Sequence, residues 1–106
     1  MSEAEAADRL AGLLGRTALG DRAAFEALYR ATAPKLFGVS LRIVRERQLA
    51  EEVLQESFVA VWNRAGDYAR DRSAPLTWLA TIVRNRSLDL LRRGSRDAED
   101  VDETLA

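Results

Sequence analysis

Glu52, Gln55 and Glu56 stand at positions i, i+3 and i+4 of a stretch with helical periodicity, so two carboxylates and an amide face the same way. Such a stripe accepts ion pairs and hydrogen bonds from basic groups on a partner helix, and Val59 extends it by one apolar contact. A second set is basic. Arg64, Arg70, Arg72, Arg84, Arg86, Arg92, Arg93 and Arg96 face only Asp67, Asp71 and Asp89 over the same stretch. Arginine offers planar, multi-donor contacts suited to phosphates and base faces. Within this stretch Asn85 can hydrogen-bond a base edge, and Tyr68 or Trp78 can stack on a base. A stacked base is worth about 1–3 kcal/mol. A solvated arginine face with its aromatics in the core accounts for the same composition, and the residues alone leave both readings open.

Other chemistry is poorly provided for. The chain has no His and no Cys, which removes the commonest general base, metal ligand and reactive thiol. The carboxylate pairs Glu51/Glu52 and Glu52/Glu56 could contribute to a divalent-cation site only with further ligands, and such pairs are far more often solvated helix surface. No phosphate-cradling glycine loop or nucleophile elbow is present. The reading is of a binding protein, not an enzyme, with no metal and no cofactor.

The elements that must position these residues are helical. Apolar residues recur at helical spacing almost everywhere after Leu10, and no alternating strand pattern of useful length occurs. Gly12, Gly15 and Gly20 punctuate the start, which predicts only a short helix or frayed lead-in over residues 1–19. Asp21 is placed to cap a helix running through Phe25, Leu28 and Tyr29, and Pro34 to open a second helix ending near Arg47. A third helix from about Leu49 to Asn63 turns Val53, Leu54, Phe58 and Trp62 inward and the Glu52 stripe outward. Residues 64–74 read as a loop. Pro75 then opens a fourth helix, which Gly94 stops after Arg93. On that helix Leu76, Leu79, Ala80, Val83, Ser87, Leu90 and Leu91 form the predicted core face, with Trp78, Ile82, Asn85, Asp89 and Arg92 opposite. Two large apolar residues on an outer face predict that the loop packs over it.

The expected fold is therefore all-α, a compact bundle of about four helices. At 106 residues and 47% hydrophobic, the chain suffices for one domain with a modest core. The net charge of −1 conceals opposed blocks, because Asp97, Glu99, Asp100, Asp102 and Glu103 follow the basic stretch with no compensating cation. That acidic tail is expected to lack fixed structure. The acidic start and the lack of a roughly 20-residue apolar run predict a soluble, cytoplasmic protein without a membrane span.

Three segments carry a family resemblance. Leu49-Ala-Glu-Glu-Val-Leu-Gln-Glu-Ser-Phe-Val-Ala-Val-Trp62 resembles the core-polymerase-binding helix of bacterial sigma factors, especially the small extracytoplasmic-function (group IV) alternative sigma factors. Gly20 to Tyr29 is similar to that group's opening helix, and Trp78 to Arg93 to its promoter-reading helix. The resemblance implies a region 2 domain over residues 20–94. It implies that Glu52, Gln55, Glu56 and Val59 bind the clamp-helix coiled coil of the β′ subunit of core RNA polymerase. It further implies that the loop and last helix recognise and melt the minus-ten promoter element and hold the non-template strand with a base flipped from the stack.

On that basis Asn85 is assigned to base reading, with Arg84, Asp89 and Arg92 beside it, and Arg64, Tyr68, Arg70, Asp71, Arg72 and Ser73 are the loop candidates. Trp62 and Trp78 are assigned to packing. The group also implies an anti-sigma factor as partner, and the free chain is expected to be monomeric. Residues 95–106 are similar to the start of a linker to a second promoter-binding domain (region 4), which the sequence is expected to lack. The rival in another class is a helical adaptor or sigma-like regulator that binds polymerase without reading DNA.

Overall fold

Ser2 begins the first helix. Its hydroxyl accepts a 3.1 Å hydrogen bond from the backbone N–H of Glu5, the N3 residue of a Ser-x-x-Glu capping pattern. The computed structural model describes the backbone of residues 1–105 and the side chains of residues 1–94. Its helices are α1 (Glu3–Ala18), α2 (Arg22–Val44), α3 (Arg47–Arg64) and α4 (Pro75–Leu105), with a single 3-10 turn at Ala65–Asp67 between α3 and α4. The expected all-α bundle is what forms, with three corrections to its elements.

First, α1 is no frayed lead-in. Leu14 is completely buried, Leu13 and Thr17 nearly so, and the helix packs on α2. Gly12 and Gly15 each cost about 1 kcal/mol relative to Ala in a helix, less than one buried leucine contributes at about 1.5–3 kcal/mol. The glycine that matters is Gly20, whose φ of +85° makes the turn into α2.

Second, Pro34 does not open a helix. Asp21 caps α2 as expected, accepting from the N–H of Ala24 at 3.1 Å, but the helix then runs through Pro34 to Val44. Proline leaves the carbonyl four residues back without its helical donor. That residue is Arg30, on the exposed side, where water can serve instead. Every fourth residue on the other side, Ala24, Leu28, Thr32, Leu36, Ser40 and Val44, is buried, so tertiary packing holds the helix together across the break. Arg45, in the left-handed region with φ 58°, ends it and turns the chain into α3 within two residues.

Third, α4 continues past Gly94 to Leu105, because one helical glycine is not a stop unless a tertiary contact rewards the turn. The acidic stretch from Asp97 lies outside the residues whose side chains are described. On α4 the expected core face is partly rotated. Ile82, expected opposite the core face, is buried, whereas Leu91 is 43% exposed. Ser87 meets Ser40 of α2, their hydroxyl oxygens 3.1 Å apart. Both α2 and α3 pack on α4, so a residue off the centre of the core face can still be covered.

Leu14→Ala is expected to destabilise the chain by about 2–5 kcal/mol, as for other buried leucines. Gly12→Ala, whose new methyl meets nothing within 4 Å, should stabilise it by up to about 1 kcal/mol. Urea unfolding of both variants checks this. Silence in both would mean that residues 3–18 are not part of the cooperative fold.

Candidate functional site

The Glu52 stripe follows from the burial of α3. Val53, Leu54, Ser57, Phe58, Ala60 and Val61 face inward, leaving Glu52, Gln55, Glu56 and Val59 exposed together. Among the described residues neither Glu52 nor Glu56 has a cationic side chain within ion-pair distance, whereas the neighbouring Glu51 is paired with Arg47 at 3.5 Å. Two like charges one turn apart cost a helix about 0.2–0.5 kcal/mol. The cost is incurred on a face left open.

Beside the stripe lies an apolar hollow that the sequence did not disclose. Val59 is 62% exposed and borders a cavity of about 400 Å³ with Phe25, Tyr29, Gln55, Phe58 and Trp62. The rings stack edge to face: Phe25 on Trp62 at 5.2 Å, Tyr29 on Phe58 at 4.9 Å, Phe25 on Phe58 at 6.0 Å. Phe25 and Tyr29, one turn apart on α2, were the available signal; their shared outer edge appears only once α2 and α3 are paired.

The loop after α3 has its own frame. The Tyr68 ring packs at 5.6 Å against Trp78, and its hydroxyl donates a 3.0 Å hydrogen bond to the Ser73 carbonyl. Burial pushes the Tyr68 phenol above its ordinary value of 10.0. Arg70 pairs with Asp8 of α1, and Arg64 with Asp67 at 3.6 Å. Of the loop candidates, Arg64, Arg70, Asp71 and Arg72 are exposed, while Tyr68 and Ser73 are partly buried and hold the loop's shape. Trp78 anchors the loop as expected, and Trp62 packs on Phe25.

On α4, Arg84, Asn85, Asp89 and Arg92 are all exposed. Asn85, Asp89 and Arg92 follow one another at i, i+4 and i+7, on the stripe that Trp78 begins. The loop therefore packs at the N-terminal end of that stripe, with buried Ile82 between Trp78 and Asn85. Asp89 and Arg92 lie 3.5 Å apart. The acidic and basic surfaces are not separate. Glu56 of α3 shares an open cleft of about 510 Å³ with Arg86, Asp89, Arg92 and Arg93 of α4.

Among the described residues no three His, Cys, Asp or Glu side chains converge on a metal-sized site, so Glu52 and Glu56 gain no third ligand. Among the same residues no helix is long and apolar enough to cross a membrane. The arrangement is an acidic and aromatic face that meets a basic one at the cleft between α3 and α4.

Known proteins match this chain over most of its length. The family described as Sigma-70 region 2 matches residues 28–97. The ECF RNA polymerase sigma factor SigK of Mycobacterium ulcerans (strain Agy99) is 36% identical over 85 residues, which is 80% of this chain and 46% of that protein. Its namesake in Mycobacterium tuberculosis (strain ATCC 25618 / H37Rv) is 34% identical over 83 residues, 78% of this chain and 44% of that one. The chain thus spans a little under half the length of these relatives.

Tyr68→Phe keeps the ring against Trp78 and removes the bond to Ser73, with an expected cost of about 0.5–1.5 kcal/mol. Because the folded phenol titrates above the unfolded one, its contribution to stability is complete below pH 10.0 and is lost as pH rises through the raised value. A phenolate absorbance titration should show an ionisation above 10.0 that is missing in Tyr68→Phe. A difference between the two curves centred at or below 10.0 would remove the burial argument for the loop.

Proposed function

Because this chain belongs to the sigma-70 region 2 family, we propose that it serves a transcription initiation factor of the extracytoplasmic-function kind, binding core RNA polymerase with α3 and promoter DNA with the loop and α4. The observation that carries the reading is the Glu52–Gln55–Glu56 stripe, open, with no cation within ion-pair distance of Glu52 or Glu56 among the described residues, and flanked by an aromatic hollow. Carboxylates and an amide on one stripe suit basic groups of the β′ clamp helices, and the hollow beside Val59 takes an apolar side chain from the same partner. The charges guide the encounter and fix register. The hollow supplies desolvated contact area.

For DNA, the reading assigns strand opening to preferential binding of the unpaired state. Extruding a base costs a few kcal/mol, and contacts that exist only with the single strand must offset it. Asn85 offers an amide to a base edge, exposed arginines neutralise phosphates, and the loop framed by Tyr68 and Trp78 borders the place where the extruded base is held. Arg64, Arg70, Asp71 and Arg72 are the loop side chains available for that contact, and Arg84, Asp89 and Arg92 flank Asn85. An anti-sigma partner covering either face, a cytoplasmic location and a monomeric free state belong to the same reading.

Glu52→Ala is expected to weaken binding to core polymerase about tenfold or more, a loss of about 1.4 kcal/mol or above, and to leave the helical fold unchanged by circular dichroism. Asn85→Ala should retain polymerase binding and lose a similar factor on single-stranded minus-ten DNA, measured by fluorescence anisotropy of the reconstituted complex. If Asn85→Ala and Arg84→Ala leave DNA binding untouched while Glu52→Ala abolishes polymerase binding, the chain is a polymerase adaptor that does not read DNA.

A further inference from the structure

Asp8 of α1 stands outside residues 28–97, the part of the chain that matches the family, yet it pairs across the fold with Arg70 of the loop. Its neighbours fix where it does so. Leu13, Leu14 and Thr17 bury α1 in the core, and Ala7 and Leu10, on either side of Asp8, border a hollow with Pro75 and Leu76 at the start of α4. Helix α1 also packs against the 3-10 turn that opens the loop. The three arginines of the loop differ in what holds them. Arg64 pairs with Asp67, a carboxylate of the loop itself, and Arg70 with a carboxylate from another element, while Arg72 has none within ion-pair distance among the described residues. Asp67 goes wherever the loop goes, whereas Asp8 is tied to a buried helix.

We infer that Asp8 is a positioning residue that restrains the sequence-independent affinity of the loop for DNA by holding the Arg70 guanidinium. This rests on the proposed DNA-binding role. The side chains of Arg70 and Asp8 are each 60% exposed, so a phosphate can reach the guanidinium. To take it, the phosphate must displace the Asp8 carboxylate or share Arg70 beside a like charge, and either course costs part of what the contact would contribute. Exposed pairs are weak, which sets the restraint at a factor of about two to five. Contacts to phosphate carry no sequence information, so the restraint acts on every strand alike. The chain thereby keeps a basic loop for use at a promoter while binding other DNA less firmly.

The test follows the fluorescence anisotropy of end-labelled oligothymidylate at low salt, with the whole chain alone and with the chain bound to core polymerase, against core polymerase by itself. Asp8→Asn should tighten binding about two- to fivefold, and the gain should shrink as salt is raised. It should be absent when Arg70→Gln is also present. Arg70→Gln alone should lower the slope of log affinity against log salt by about 0.7, the value for one phosphate on a single strand. Glu5→Gln removes the same charge from α1 at a residue with no cation within ion-pair distance among those described, and should change affinity by less than about twofold.

Weaker binding by Asp8→Asn would make Asp8 a support for Arg70 in the bound state and overturns the restraint. A gain that persists without Arg70, or that Glu5→Gln reproduces, overturns it as well. Unchanged affinity in Asp8→Asn while the parent binds the strand overturns the restraint and leaves the DNA-binding role standing. A parent chain that binds no strand, alone or with polymerase, removes both together.

Discussion

The helix α2 has every fourth residue buried from Ala24 to Val44, and a stripe of that period drifts around the helix as it advances. No single neighbour can cover it. The helices α1, α3 and α4 all pack against α2, and α3 and α4 thereby come to lie side by side. The arrangement survives Pro34 because of magnitudes. An interior proline costs a helix about 3 kcal/mol through the lost bond and the clash of its ring with the preceding turn, and the orphaned acceptor lies on the wet side. Ending the helix there would expose Leu36, completely buried Ser40 and Val44 on one side of the break or the other, at about 1.5–3 kcal/mol for each large apolar side chain.

The same core explains why so much charge is free for binding. The buried polar residues among those described are Thr17, Thr32, Ser40, Ser57 and Ser87, hydroxyls without exception. Thr17, Thr32, Ser57 and Ser87 each bond the carbonyl four residues earlier at 2.7–2.8 Å. A hydroxyl satisfied within its own helix makes no demand on its neighbours and takes little room, which lets α2 and α4 approach at Ser40 and Ser87. Among the described residues no buried position holds a charge, so charged side chains are arranged for the surface alone. Their arrangement there is uneven. Arg47 and Glu51, and Arg30 and Glu26 at 2.7 Å, are ordinary exposed i, i+4 pairs, whereas Glu52 and Glu56 are left facing each other.

What could be read in the sequence divides along local and non-local lines. Inward and outward positions of α3 were legible because a single amphipathic helix declares them through its own period, and Glu52, Gln55, Glu56 and Val59 are all exposed. The Asp21 cap and the packing of the loop on Trp78 were legible for similar reasons: a capping residue before an apolar period, and an aromatic on an otherwise polar face. The length of the opening helix is not legible from Gly12 and Gly15; its local signal is the Ser2–Glu5 capping pattern. Pro34, Ile82 and Leu91 failed for a different reason, since each depends on which helix lies alongside, and period alone does not say. The cleft joining Glu56 to Arg86 and Arg93 is likewise a product of pairing α3 with α4, thirty and more residues apart in the chain.

The loop between α3 and α4 is held in place without fixing the side chains that it exposes. The dominant restraint is the Tyr68–Trp78 contact, since an edge-to-face aromatic pair adds about 0.5–1.5 kcal/mol beyond the area it buries. The Arg70–Asp8 pair is exposed on both sides, and such pairs contribute about 0–1 kcal/mol. It orients Arg70 toward α1 more than it stabilises the fold. The Tyr68 hydroxyl bonds a backbone carbonyl, that of Ser73, so its acceptor is indifferent to the side chain at that position. Arg70, Asp71 and Arg72 therefore sit on a frame built by their neighbours and by the backbone. Their side chains can change while α4 and the Asn85 stripe stay where α2 puts them.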